Sequence, residues 1–145
     1  MKQNAEGVTP VGPAFLVPLQ TIQGDDGMIS VAEIGKHFEF PVRRVFTITD
    51  VPMGATRGGH AHREVSQMLV CLAGAIDVTI DDGSRTWSVA LDRPDKGLLI
   101  PVWVWASQSY TVPESILVVL CDQEYRESEY IRDYDEFVTS VASRG

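Results

Sequence analysis

Between Phe15 and Asp122 the chain is a succession of short β-branched or aromatic runs cut by turn residues, and helical periodicity is missing throughout. That rhythm confines it to an all-β sandwich or barrel. Strands are expected near 14–19, 28–33, 43–50, 66–73, 75–81, 85–91, 97–101, 104–109 and 115–122. Asp25-Asp26-Gly27 and Asp81-Asp82-Gly83 put glycine where a hairpin needs positive φ, and Gly74 divides one long apolar run into two strands. So many antiparallel strands must hide their edges, and a jelly roll of two facing sheets does so at this length. After Asp122 the pattern becomes charged and aromatic, with Tyr130, Tyr134, Phe137 and Val141 at helical spacing, so one or two short helical turns should close the domain. The expected organisation is an arm over residues 1–13 and one domain over 14–145.

Composition limits what such a domain can bind. With 12 Lys and Arg against 20 Asp and Glu the formal charge is −8, and no basic run offers nucleic acid or an anionic membrane a broad attractive field. A phosphate-bearing partner must be held by a local arginine cluster. Cys71 and Cys121 lie inside apolar runs rather than at C-x-x-C spacing, and read as buried free thiols. The polar first residues and the absence of any membrane-length apolar run point to a cytoplasmic protein.

The densest polar cluster is Arg57-Gly58-Gly59-His60-Ala61-His62-Arg63-Glu64. Strand residues two apart share a face, so His60 and His62 project together; they either enter the interior or form a solvated strand end. His37, beside Phe38 and Phe40, falls in an expected loop, and nothing in its surroundings marks it as a metal ligand.

The spacing Gly54, His60, His62, Gln67, Gly74 resembles the first motif of the cupin superfamily. In metal-binding cupins the position of Gln67 is a glutamate, and the second motif places a histidine five residues after a proline, which here is Ala106 after Pro101. Two imidazoles, an amide and a methyl group are too few donors for a structural or catalytic divalent site. The expectation is a cofactor-free cupin with no metal.

A closer resemblance, over about residues 16–137, is to the WxcM-like nucleotide-sugar 3,4-ketoisomerases. It is carried by Arg43-Arg44-Val45-Phe46, the Arg57 to His62 block, Gln67 to Gly74, Asp81-Asp82-Gly83 and the tail Glu129-Tyr130-Ile131-Arg132-Asp133-Tyr134-Asp135. It implies an enzyme that moves the ketone of a nucleotide-linked 4-keto-6-deoxyhexose from C4 to C3 through an enediolate, in deoxysugar synthesis. By resemblance His62 takes the base position and His60 the assisting one, work suited to an unperturbed pKa of about 6.5. Arg57 and Gln67 are the candidate enediolate donors, and Arg44 is either a diphosphate ligand or a surface strand charge.

The chain departs from the family's pattern in three places. Phe46 and Thr47 stand near positions where tyrosines are expected, leaving Thr47 as the local hydroxyl, and Ala106 replaces a His or Arg that helps set the C4 configuration. A non-catalytic sugar-nucleotide-binding cupin and a 3,5-epimerase-like enzyme are the competing readings. Trp103 and Trp105 read as sheet packing ahead of base or sugar stacking. The resemblance also implies a homodimer, with residues 8–19 as a pairing arm.

Overall fold

The computed structural model describes residues 7–144. Thirteen strands run in the order β1 (Thr9–Val11), β2 (Ala14–Pro18), β3 (Gln20–Gly24), β4 (Gly27–Val31), β5 (Arg44–Ile48), β6 (Thr56–His62), β7 (Gln67–Ala73), β8 (Ile76–Asp81), β9 (Thr86–Leu91), β10 (Lys96–Ile100), β11 (Trp105–Tyr110), β12 (Ile116–Cys121) and β13 (Tyr130–Ile131). A 3-10 turn, Glu127–Glu129, precedes β13, and helix α1 (Tyr134–Arg144) follows it. The order β1-β2-β10-β7-β12-β5 makes one sheet and β13-β6-β11-β8-β9 the other, while β3 and β4 form a separate ribbon. This is the jelly roll expected from the strand rhythm.

Alternation assigns the faces. Leu69 and Cys71 on β7, Leu98 and Ile100 on β10, and Leu117, Val119 and Cys121 on β12 point inward and meet Ile76, Val78 and Ile80 of β8 in the main core. Their neighbours Met68, Val70 and Leu99 point outward and are capped by Phe38 and Phe40. His37 belongs to that cap: its Nδ1 accepts the Glu33 amide at 2.9 Å, which gives it a structural occupation. On the other sheet's outer side α1 lays the fully buried Phe137 against Ala61 and Ile131, with Trp103 and Trp105 beside them. The tryptophans are therefore packing residues, as expected.

The turn chemistry holds as read. Gly27, Gly74 and Gly83 have positive φ, and a Cβ on Gly74 would lie 2.2 Å from Ser115 Oγ. The tail contains more structure than one or two helical turns, since eleven residues are helical and β13 adds a strand to the sheet. In the expected arm, residues 1–6 lie outside the described residues, and β1 pairs with β2 of its own chain, Thr9 opposite Leu16.

Candidate active site

A β-bulge builds the site. Ala106 pairs with His60 and Gln108 with Arg57, so two steps along β11 match three along β6, and the additional residue falls at Gly58-Gly59. Without the bulge Arg57 and His60, three apart, would face opposite ways; with it both stand across from inward-facing β11 residues. Gly58 has φ +73°, and a Cβ there would meet Gln108 Nε2 at 2.9 Å, so glycine is required on both counts.

Arg57, His60, Gln67, Gln108, Tyr130 and Arg132 line a cavity of about 260 Å³, with an apolar side from Phe46, Ile48 and Val119. The Tyr110 hydroxyl donates to Gln108 Oε1 at 2.7 Å, which leaves the Gln108 amide N–H groups for the cavity. The Tyr130 ring lies 5.0 Å from that of His60 and 4.5 Å from that of His62, and the two imidazoles meet edge to face at 4.9 Å. His62 stands behind the cavity lining, buried, with its Nδ1 2.5 Å from Glu129 Oε2. Glu129, 3% exposed, accepts the Glu64 and Val65 amides on its other oxygen at 3.1 and 3.3 Å. The His62 Nε2 is buried and has no hydrogen-bond partner among the described residues.

Electrostatics separates the two histidines. Burial, then the neighbouring His62 and Arg132, push His60 down to about 4, so it is neutral at cellular pH. Burial also lowers His62, but the Glu129 hydrogen bond and charge oppose that shift. Arg132 makes two hydrogen bonds to Glu127, at 2.7 and 2.9 Å, and its guanidinium lies 4.3 Å from the Tyr130 ring centre. The Arg132 bonds, followed by one from the Tyr125 hydroxyl, hold the Glu127 carboxyl down at about 2.

The family described as FdtA: WxcM-like, C-terminal, matches residues 14–142. The chain belongs to that family. The TDP-4-oxo-6-deoxy-α-D-glucose-3,4-oxoisomerase of Aneurinibacillus thermoaerophilus is 35% identical over 116 residues, covering 80% of this chain and 84% of that protein. QdtA, a 3,4-ketoisomerase from Thermoanaerobacterium thermosaccharolyticum solved as a histidine-to-asparagine mutant in complex with TDP-4-keto-6-deoxyglucose, superimposes with a TM-score of 0.87 at 28% identity, over 91% of this chain and 96% of its own. A 3,4-ketoisomerase from Helicobacter canadensis gives 0.86 at 32% identity, over 89% and 97%. The resemblance, the fold and the isomerase class read from the sequence are borne out by these matches.

Within this FdtA-family fold the residues singled out from sequence divide into three groups. Arg57, His60 and Gln67 line the cavity, and His62 touches its lining. Arg44 and Ala106 lie one position off: Arg44 is inward on β5 but rests an Nη2 on Cys121 Sγ at 3.5 Å, with Phe46 and Tyr125 about its guanidinium. Ala106 faces inward opposite His60 but packs into the core. Thr47 requires correction. Phe46 and Ile48 line the cavity, so the pleat turns Thr47 to the exposed outer face, where its hydroxyl cannot reach a ligand in this cavity.

Gln108, Glu129, Tyr130 and Arg132 are the members that sequence reasoning missed. Gln108 carried a signal, as a polar residue between inward-facing Ala106 and Tyr110. Tyr130 and Arg132 carried another, since residues two apart in an extended tail share a face.

Proposed function

We propose that this protein converts a TDP-linked 4-keto-6-deoxyhexose to its 3-keto isomer with His62 as the base, His60 assisting and no cofactor. His62 Nε2 takes the proton from C3, and the C–H electrons form the C3=C4 double bond of an enediolate as O4 gains the charge. The O3 proton passes to O4, which moves the charge to O3, and the imidazolium then returns its proton to C4 as the carbonyl forms at C3. A single base near neutral pKa can serve both transfers.

The observation that carries the assignment is the buried His62–Glu129 contact set directly behind His60 and Tyr130 at the cavity wall. His60 is the alternative base because its side chain lines the cavity. Burial pushes it down to about 4 without the bonded carboxylate that opposes the shift at His62, and as a neutral ring it serves better to hydrogen-bond a sugar oxygen. Gln67 and Gln108 offer amide N–H groups to the enediolate oxygen, and donors placed where charge develops supply much of such a barrier reduction. Arg57, expected from the sequence to be an enediolate donor beside Gln67, is here assigned with Arg132 to the diphosphate, and Arg44 adds charge from the neighbouring row.

The same reading makes the enzyme a cytoplasmic, metal-independent homodimer. Two buried free thiols suit a reducing compartment. Both Glu129 oxygens are occupied by protein donors, so the site offers a divalent ion no free carboxylate. The β3–β4 ribbon exposes Ile22, Met28 and Ile29 and among the described residues pairs only with itself, an arrangement that is marginal in water unless a second copy covers it.

The test is single-turnover conversion of TDP-4-keto-6-deoxyglucose by wild type, His62→Asn and His60→Asn. The reading expects a 3-keto product from wild type and none from His62→Asn, while both variants still bind TDP. Tight TDP binding by wild type without conversion would make it a binding protein, as the missing tyrosines and Ala106 would then suggest.

A further inference from the structure

We infer that the Tyr130 hydroxyl is the relay that carries the sugar's O3 proton to O4. The inference rests on the isomerase reading of this cavity, but not on which imidazole of the β6 pair takes the carbon-bound proton. Among the described residues Tyr130 supplies the only hydroxyl in the cavity lining, since β5 presents Phe46 and Ile48 there and turns Thr47 outward. The chain has four tyrosines, and three of their phenols are committed elsewhere: Tyr110 donates to Gln108 at 2.7 Å, Tyr125 to Glu127 at 2.6 Å and Tyr134 to Asp81 at 2.8 Å. Tyr130 has no such acceptor among the described residues, and it lines the cavity.

Moving a carbonyl from C4 to C3 needs one proton transfer between carbons and another between oxygens. A hydroxyl fits the second because a single atom both donates and accepts. As O4 of the enediolate takes the phenol proton, the phenol oxygen takes the proton of O3. The O3–H bond breaks, the O4–H bond forms, the charge passes from O4 to O3, and the tyrosine ends as it began. The other polar groups of the lining serve less well. Guanidinium and amide groups donate hydrogen bonds but do not release a proton near neutral pH. His60, pushed down to about 4, resists taking up a second proton.

The phenol is held in place from several sides. Tyr130 pairs with His62 across β6 and β13, its ring lies 5.0 Å from that of His60, and the Arg132 guanidinium is 4.3 Å from its centre. Arg44 stands at the hydroxyl end. Burial works against the charge of Arg44, but Cys121 and then Tyr130 hold its pKa above the ordinary value. A guanidinium can only donate, so it leaves the phenol hydrogen free for the sugar, and its charge favours a negative oxygen part-way through the relay.

Tyr130→Phe removes the oxygen and keeps the ring, so TDP affinity and melting temperature should stay close to wild type. With TDP-4-keto-6-deoxyglucose its kcat should fall by about a hundredfold. The lost step follows proton removal from C3, so substrate recovered from deuterium oxide should carry more C3 deuterium per product formed than it does with wild type.

A Tyr130→Phe enzyme whose kcat stays within about threefold of wild type overturns the inference and leaves the isomerase reading standing. So does one whose C3 exchange and product formation fall together, because the lost step is then the transfer at carbon. Collapse of TDP binding and melting temperature along with the rate makes the phenol structural and overturns it too. A wild-type protein that binds TDP but converts no TDP-4-keto-6-deoxyglucose brings down the isomerase reading itself, and the relay with it.

Discussion

At the residue scale the two histidines should respond differently to pH. His60 is held at about 4 in the fold, against about 6.5 in the unfolded chain, so below pH 6.5 the unfolded chain takes up a proton the folded site resists. Stability from neutral His60 is present above pH 6.5 and is lost as pH falls towards 4, by at most about 3 kcal/mol. His60→Asn removes that contribution, so chemical denaturation should show the variant losing less stability than wild type between pH 6.5 and 4. An equal loss in both would contradict the burial assigned to the ring. His62→Asn should abolish turnover while leaving TDP binding within about threefold, because it removes the proton acceptor and keeps a similar volume. His60, His62, Gln67 and Arg57 were legible because one motif spans the consecutive strands β6 and β7 that carry them into the facing sheets. Glu129 was not, since its partner lies 67 residues away in the chain and nothing local marks one glutamate in an acidic tail. Thr47 was misplaced because a one-residue error in the pleat reverses the face.

At the scale of the element, the Gly58 bulge aligns Arg57 with His60. Gly58→Ala forces a side chain into φ +73° and against Gln108, and should cost about 1–2 kcal/mol in urea denaturation while weakening turnover more than TDP binding. Helix α1 locks the tail through Phe137. Phe137→Ala should destabilise by about 3–5 kcal/mol and, by loosening the 3-10 turn and the strand that carry Glu129 and Tyr130, lower kcat beyond what the stability loss explains. The hairpins were readable because Asp-Gly turns announce themselves, and the buried strands because β-branched runs are short and bounded. Strand β6 was harder to read: Thr56–His62 holds two glycines and three charged or polar ring-bearing residues, a composition that suits a loop until β11 pairs with it. Strand β13, two residues long, exists only because β6 offers an open edge.

At the scale of the whole molecule, a chain of charge −8 sets Arg57 and Arg132 in the lining of one cavity, with Arg44 against its Phe46 wall, and on the proposed reading these hold a diphosphate without attracting polyanions in general. On the proposed metal-free reading, chelator treatment should leave turnover unchanged; restoration of a lost activity by added metal would contradict it. The central claim, that His62 abstracts the C3 proton of a nucleotide-linked 4-keto sugar, is tested most directly by proton NMR of TDP-4-keto-6-deoxyglucose in deuterium oxide with chelator-treated enzyme. The account predicts loss of the C3 proton signal together with new 3-keto product signals, and neither with His62→Asn. Retention of the C3 signal with wild type, or its loss at an equal rate with His62→Asn, would contradict it.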